Sequence, residues 1–291
     1  MDSLIIIVTG ALVAISCGLL GSFLILRKMA MVSDAISHAV LPGIVIAYMV
    51  MGADQTLWML IGAGCFGMIT TFLIEFFHQK GRLQSDASIG VTFTWLFAIG
   101  VILISYYAGD AHIDQDCVLY GEIAYVPLDL MFTPSGEVIG PKALIVLSAV
   151  LILVLLFITL AYKELYITTF DPDFATSNGY ASSTWHYLLM AMVSLVTVAA
   201  FESVGAILVV AFLIVPPATA YLVTGNLKTM LGLSTLFGVV ISIAGYGLAY
   251  RIDGSIAGAM ATVAGLIFVI TFVLTRAKLK RQQAKSLISE G

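Results

Sequence analysis

Long apolar runs of about twenty residues recur along the whole chain and are separated by short polar segments. A run of this length lets a helix cross roughly 30 Å of hydrocarbon. The pattern predicts nine membrane spans: Leu4–Leu26, Met29–Met51, Thr56–Phe77, Ala87–Tyr107, Lys142–Tyr162, Thr184–Phe201, Val204–Val223, Thr229–Tyr250 and Ser255–Thr275. We therefore expect an all-α polytopic membrane protein with a transmembrane domain over residues 1–275. Composition agrees, because 60% of the residues are hydrophobic and only 10% are charged, against roughly 25% charged in soluble domains.

The distribution of basic residues predicts the orientation of these spans. With the N-terminus outside, all of the 13 lysines and arginines except Lys142 and Arg251 fall in the inner segments. Positive residues favour the cytoplasmic side of a membrane, so we expect the N-terminus outside and the C-terminus inside. Residues 276–291 then form a cytoplasmic basic tail, and basic segments of this kind are attracted to anionic lipid.

Two ionisable side chains lie within the second predicted span, in the sequence Met31-Val-Ser-Asp-Ala-Ile-Ser-His-Ala-Val-Leu-Pro-Gly43. Asp34 and His38 are four residues apart and share one face of a helix. His38 would lie about 14 Å from Met29, since a helix rises 1.5 Å per residue. Ionisable groups at this depth are costly and usually functional, and carboxylate with imidazole suits a divalent metal such as Mn²⁺. The pair predicts a substrate or proton path, with a structural pair as the alternative.

A second candidate metal site lies in the predicted outer loop, residues 108–140. Asp110, His112, Asp114 and Asp116 alternate oxygen and nitrogen ligands, and Cys117 follows directly. These side chains could collect a divalent cation at the outer mouth of a path. The alternative is a solvated acidic loop without a bound ion.

The inner segment 163–181 carries its own helix signals. An aspartate can cap the helix, a proline suits the first helical position, and an Asn-Gly pair suits a left-handed stop. Two phenylalanines could project from this helix, which is too short to be stable alone. The residues are Phe170, Asp171, Pro172, Phe174, Asn178 and Gly179. The segment is either a plain capped loop helix or a docking element for a cytoplasmic partner.

Absent motifs narrow the function. The sequence has no G-x-x-x-x-G-K-[ST], so the chain does not bind ATP through a P-loop, and it has no H-E-x-x-H of a zincin. An intramembrane hydrolase using Asp34 would need a second carboxylate at similar depth, whereas Glu202 lies near an outer boundary. A proton-coupled secondary metal transporter is the remaining rival, with Asp34 and His38 as a proton relay. Such a transporter would need no docking helix.

Three motifs resemble the permease subunits of ABC importers for manganese, zinc and iron, in that family's order. They are Ser33-Asp-Ala-Ile-Ser-His-Ala-Val-Leu-Pro-Gly43, then Phe170-Asp-Pro-Asp-Phe-Ala175 with Gly179, then Val204-Gly-Ala-Ile-Leu-Val-Val-Ala-Phe-Leu-Ile-Val-Pro-Pro-Ala-Thr-Ala220. The stretch His112–Glu122 is similar to the branch that has two permeases per operon. That branch often has histidine where this chain has Cys117.

The resemblance implies the type II ABC importer permease fold, with about nine or alternatively eight transmembrane helices. It also implies a second permease subunit, identical or a sibling, and a cytoplasmic ABC ATPase dimer. An extracytoplasmic metal-binding protein would deliver the ion. Asp34 and His38 match the family's pore residues, and the segment Phe170–Gly179 matches its coupling helix.

We therefore expect a multi-pass permease of a bacterial cell (inner) membrane. Its cargo would be Mn²⁺, with Zn²⁺ or Fe²⁺ as alternatives, and no cofactor would be bound covalently. The permease itself would not be an enzyme, because ATP hydrolysis resides in the partner subunit. It would contact membrane lipid and no nucleic acid.

Overall fold

The computed structural model describes residues 2–51, 56–81, 83–107, 123–132 and 138–289. Helices dominate these ranges, and the only strands in them form one short hairpin. The helices are α1 (Asp2–Leu26), α2 (Val32–Ala39), α3 (Leu41–Met51), α4 (Thr56–Gln79), α5 (Ser85–Tyr107), α6 (Lys142–Leu160), α7 (Tyr162–Phe170), α8 (Pro172–Ser177), α9 (Ser182–Val204), α10 (Ala206–Val223), α11 (Leu227–Ile252) and α12 (Ile256–Ser289). Strands β1 (Leu130–Phe132) and β2 (Val138–Pro141) pair antiparallel, Leu130 opposite Pro141.

The prediction of an all-α protein with about nine spans is confirmed. In the described part of the chain, nine helical segments are long and apolar enough to cross a membrane, with α2 and α3 together forming the second. The fifth span ends at Leu160, slightly earlier than expected, and Ala161 separates α6 from α7. The helix of the last span continues through Ser289, so the basic tail is a helical extension of that span as far as it is described. The division at residue 275 stays a prediction.

Helix α1 lies at the centre of the bundle, in contact with α6, α7, α9, α10 and α11. Two glycines let neighbouring backbones approach it closely. The carbonyl of Gly18 accepts a hydrogen bond from the Ser234 hydroxyl of α11 at 3.0 Å. A Cβ at Gly21 would collide with the Leu213 carbonyl of α10. That carbonyl is available for this contact because Pro217 has no N–H to donate to it.

The second span is discontinuous at Val40, between α2 and α3. Proline explains the break, because Pro42 cannot donate to the carbonyl of His38 one turn earlier. A Cβ at Gly43 would meet the carbonyl of Gly62, so these glycines allow α3 and α4 to cross at backbone contact. As a result α2 is a separate short helix that packs against α4, α5, α9 and α10.

Candidate metal path and coupling segment

Asp34 and His38 lie together on α2, as their spacing predicts. The Nε2 atom of His38 is 3.6 Å from Oδ1 of Asp34. The imidazole rests on α5, with its ring centroid 5.9 Å from the centroids of both Phe93 and Phe97. Helix α2 thus presents a carboxylate and an imidazole side by side, with an aromatic wall behind the imidazole.

These two side chains are the partly exposed residues of an otherwise buried helix. The other six residues of α2 are buried: Val32, Ser33, Ala35, Ile36, Ser37 and Ala39. The side chains of Asp34 and His38 retain 35% and 31% exposure respectively. The pair therefore faces away from the core of its own subunit and remains accessible from outside it.

The spacing of the two ligand atoms suits a single divalent cation. Atoms 3.6 Å apart can both contact a metal at bonds of about 2.1 Å, since this corresponds to an angle of roughly 115° at the ion. Among the residues whose placement is described, no group of three or more His, Cys, Asp or Glu side chains could hold a metal. Two ligands do not complete the shell of Mn²⁺ or Zn²⁺, so an ion bound to this pair would need further ligands from elsewhere.

The second candidate site is not described by the structure. Asp110, His112, Asp114, Asp116 and Cys117 all lie outside the described residues. Their proposed role in collecting cations at the outer mouth stays a prediction.

The inner segment folds as its helix signals predict. Oδ1 of Asp171 accepts a hydrogen bond from the backbone N–H of Phe174 at 2.9 Å, and Pro172 is the first residue of α8. Gly179 has a φ of +82°, and its N–H donates to the carbonyl of Thr176 at 3.1 Å. The next N–H, that of Tyr180, donates to Ala175 at 3.0 Å. These two bonds form the usual glycine-terminated helix end, so the prediction of a capped helix of under two turns is confirmed.

Two aromatic side chains project from this part of the protein. Phe170, at the end of α7, is 52% exposed, and Phe174, on α8, is 56% exposed. Ala175 is fully buried, which fixes the opposite side of α8 to its own subunit. Large exposed apolar groups beside charged and polar residues are typical of a protein contact surface.

Sequence reasoning missed a polar network behind this surface. The Arg27 guanidinium, just after α1, donates to the hydroxyls of Thr168 and Thr169 in α7, both at 3.0 Å. His186 of α9 lies between Arg27 and Glu75 of α4. An arginine directly after an apolar span ordinarily indicates contact with water or lipid headgroups, so the sequence carried no signal for this arrangement.

Comparison with known proteins identifies the family. The profile of the ABC 3 transport family matches residues 4–275. The manganese transport system membrane protein MntD of Bacillus subtilis (strain 168) is 50% identical over 272 residues, which are 94% of this chain and 92% of that protein. The zinc transport system membrane protein TroD of Treponema pallidum (strain Nichols) is 43% identical over 270 residues, which are 93% of this chain and 73% of that protein.

A solved structure supports the same assignment. In PsaBC from Streptococcus pneumoniae in complex with Fab, the matching chain superimposes with a TM-score of 0.75 at 34% identity. The match covers 92% of this chain and 90% of that one. A family profile that spans nearly all the membrane helices agrees with this likeness in fold. The chain therefore belongs to the ABC 3 transport family, as a membrane permease subunit of a metal importer that is not itself an enzyme and works with a separate ATPase subunit.

Proposed function

We propose that this permease forms the translocation path of an ATP-driven importer and that its cargo is Mn²⁺. The observation that carries the proposal is the face of α2 on which Asp34 and His38 stand 3.6 Å apart and partly exposed, on a helix that is otherwise buried. Ionisable side chains within a membrane span are expensive, so an exposed pair with metal-ligand chemistry favours a path for the ion over a structural role.

The choice of Mn²⁺ rests on ligand chemistry and on similarity. Hard oxygen and borderline nitrogen ligands suit Mn²⁺, whereas thiolates select softer ions. The two described cysteines, Cys17 and Cys65, lie on α1 and α4, and neither forms a possible metal-binding group with the pair on α2 among the described residues. Similarity to a manganese transport protein is higher than to a zinc transport protein, 50% against 43% identity. Zn²⁺ and Fe²⁺ accept the same ligands, so the experiment must compare all three ions.

A second permease would complete the site. Asp34 and His38 supply two ligands, and their accessible face is the direction from which further ligands could approach. A symmetric or sibling subunit that brings its own carboxylate and imidazole to this face would give four. This arrangement places the ion between two permeases, and it applies equally to a homodimer and to a pair of siblings.

We infer the remaining parts of the importer from the distribution of basic residues along the chain and from the coupling segment. The charge bias supports a cytoplasmic position for α7, α8 and the C-terminal tail, with the N-terminus outside, in a bacterial cell membrane. Phe170, at the end of α7, and Phe174, on the capped helix α8, would then contact the ATPase dimer through their exposed aromatic rings. An extracytoplasmic metal-binding protein would deliver the ion to the opposite face, where the acidic sequence Asp110–Asp116 is expected.

Metal uptake tests the path. In cells that lack the wild-type copy, we expect Asp34→Asn and His38→Gln to lower uptake of radioactive manganese by more than about tenfold, because even outer-shell partners of metal sites change affinity by about 10–100-fold. Asp253→Asn and His78→Gln are matched controls on exposed residues outside both α2 and the coupling segment, and they should leave uptake near the wild-type level. Purification with a full complement of ATPase would show that the variants still assemble.

The same assay separates the alternatives. Unlabelled Mn²⁺, Zn²⁺ and Fe²⁺ compete according to their affinity for the path, and inhibition by Zn²⁺ or Fe²⁺ at lower concentration than Mn²⁺ would contradict the manganese assignment. Uptake that persists when the proton gradient is dissipated but ATP is maintained supports the ATP-driven mechanism over a proton-coupled one. Near-normal uptake by both α2 variants would show that Asp34 and His38 have a structural role and do not form the path for the ion.

A further inference from the structure

Arg27 stands at a tight turn between α1 and the segment that leads to α2. Lys28 adopts a left-handed conformation with a φ of +59°. The N–H groups of Lys28 and Met29 donate back to the carbonyls of Ile25 and Leu24, at 3.1 and 2.9 Å. This pair of bonds ends a helix firmly, so the backbone that carries the Arg27 side chain is held in one direction.

The Arg27 side chain donates two hydrogen bonds to the end of α7. Its Nε donates to Oγ1 of Thr169, and its Nη2 donates to Oγ1 of Thr168, both at 3.0 Å. The Thr168 hydroxyl donates to the carbonyl of Glu164 at 2.8 Å, which leaves its oxygen free to accept from the guanidinium. Burial lowers the pKa of Arg27 to about 10, so the group stays protonated near neutral pH and can donate both bonds.

The third contact of Arg27 fixes the tautomer of His186. Nη1 of Arg27 is 3.4 Å from Nδ1 of His186, and because a guanidinium only donates, Nδ1 must accept. The proton of the neutral imidazole is then on Nε2, which is buried, has no hydrogen-bond partner among the described residues and lies 3.6 Å from Oε2 of Glu75. The imidazole is therefore held on one side by Arg27 and directed on the other towards α4 across a gap that a small movement would close.

The network lies close to both the coupling segment and α2, two parts of the molecule that the proposed function requires to move together. Pro172, the first residue of α8, follows Thr169 by three positions, and Val32, the first residue of α2, follows Arg27 by five. Helix α4, which carries Glu75, packs against both α2 and α3. The network borders a cavity of about 650 Å³ that Arg27, Glu75 and His186 help to line, so these side chains have room to change partners.

We propose that Arg27 is a positioning residue that transmits movement of the coupling segment to the helix carrying Asp34 and His38. The inference rests on the proposed function, in which α8 meets the ATPase and α2 lines the path. A planar guanidinium can hold two threonine hydroxyls and an imidazole at once, whereas a lysine ammonium is a compact point charge without that fork. The role therefore needs the shape of arginine as well as its charge.

The test is the number of ATP molecules hydrolysed per metal ion taken up, measured on the complete importer in lipid vesicles. We expect Arg27→Gln and Arg27→Lys to raise this ratio by at least about fivefold, the change that 1 kcal/mol of lost coupling produces. A Thr168→Val/Thr169→Val variant, which removes both acceptors while keeping side-chain volume, should raise it too, and it provides a second measurement if Arg27→Gln assembles poorly. Lys28→Asn removes a neighbouring positive charge with a residue that tolerates the left-handed conformation, and it should leave the ratio unchanged.

Other outcomes overturn the inference in distinguishable ways. An unchanged ratio in the arginine and threonine variants, with less complex recovered, would mean that the network only stabilises the fold. Normal coupling in Arg27→Lys would mean that charge alone matters, and an equal rise in Lys28→Asn would mean that any loss of charge at the turn uncouples transport. If the wild-type complex showed no ATP-driven metal uptake, the proposed function itself would fail, and the transmission role would fail with it.

Discussion

Gly179 ends α8, the proposed coupling helix, in a conformation that other residues adopt at a cost. Its φ of +82° lies in the left-handed region, and both hydrogen bonds that close α8 depend on that conformation. A Cβ at this position would meet no atom within 4 Å. The effect of Gly179→Ala is therefore conformational, without a steric clash against the rest of the protein.

Because no steric clash contributes, the size of the effect can be worked out from the conformational cost alone. An L-residue pays roughly 1–2 kcal/mol in the left-handed helical region, which changes an equilibrium by about 5–30-fold. A helix of six residues has little stability of its own, so fraying at Gly179 cannot be absorbed by the rest of α8. If the ATPase binds the capped form, its apparent dissociation constant rises as the population of that form falls. We expect an increase approaching this factor for Gly179→Ala.

The assay is the affinity of the purified ATPase for the permease complex in detergent, with Gly225→Ala as the matched control. Gly225 also lies on a cytoplasmic connection, in the proposed orientation, and has no atom within 4 Å of its hypothetical Cβ, but its φ lies outside the left-handed region. Gly179→Asn should bind better than Gly179→Ala, because asparagine tolerates the left-handed conformation. Equal affinities for Gly179→Ala and Gly225→Ala would refute the reasoning that this turn pre-organises the docking helix.

Two further predictions concern contacts and orientation. Phe174→Asp should insert normally but lose the ATPase on purification, because a carboxylate forced into an apolar contact costs on the order of a few kcal/mol. The control variant Phe174→Leu should retain the ATPase. Full retention of the ATPase by Phe174→Asp, with wild-type uptake, would contradict the docking role. In a chain with Cys65 and Cys117 replaced by serine, Leu83→Cys should resist an impermeant thiol reagent in intact cells and react after permeabilisation. Ready labelling in intact cells would reverse the proposed topology.

Much of the membrane architecture was predictable, because hydrocarbon demands long apolar helices with their backbone bonds satisfied internally. Apolar runs therefore predicted nine spans within a few residues. The α8 helix was predictable for a different reason, since Asp171, Pro172 and Gly179 each act on the backbone locally. A spacing of four also placed Asp34 and His38 on one face, because that face follows from helix geometry alone.

The features that depend on distant parts of the chain were not predictable in this way. Arg27 and Thr168 are 141 residues apart, and a basic residue after an apolar span looks the same whether it meets water or a buried hydroxyl. His186 likewise shows no local pattern that would set it between Arg27 and Glu75. Tertiary packing brings these side chains together, and the periodicity of a single sequence gives no information about contacts between distant residues.

Gly21 and Pro217 show how such long-range relations can still be physically specific. A proline within α10 leaves the carbonyl of Leu213 without its usual intrahelical donor, and an uncompensated carbonyl is expensive in hydrocarbon. Glycine at position 21 lets the α1 backbone come against that carbonyl, at the close approach that Cα–H···O contacts between packed helices require. Pro217 on α10 and Gly21 on α1 together permit a close crossing of these two helices. The crossing brings the central helix against a helix that packs on α2.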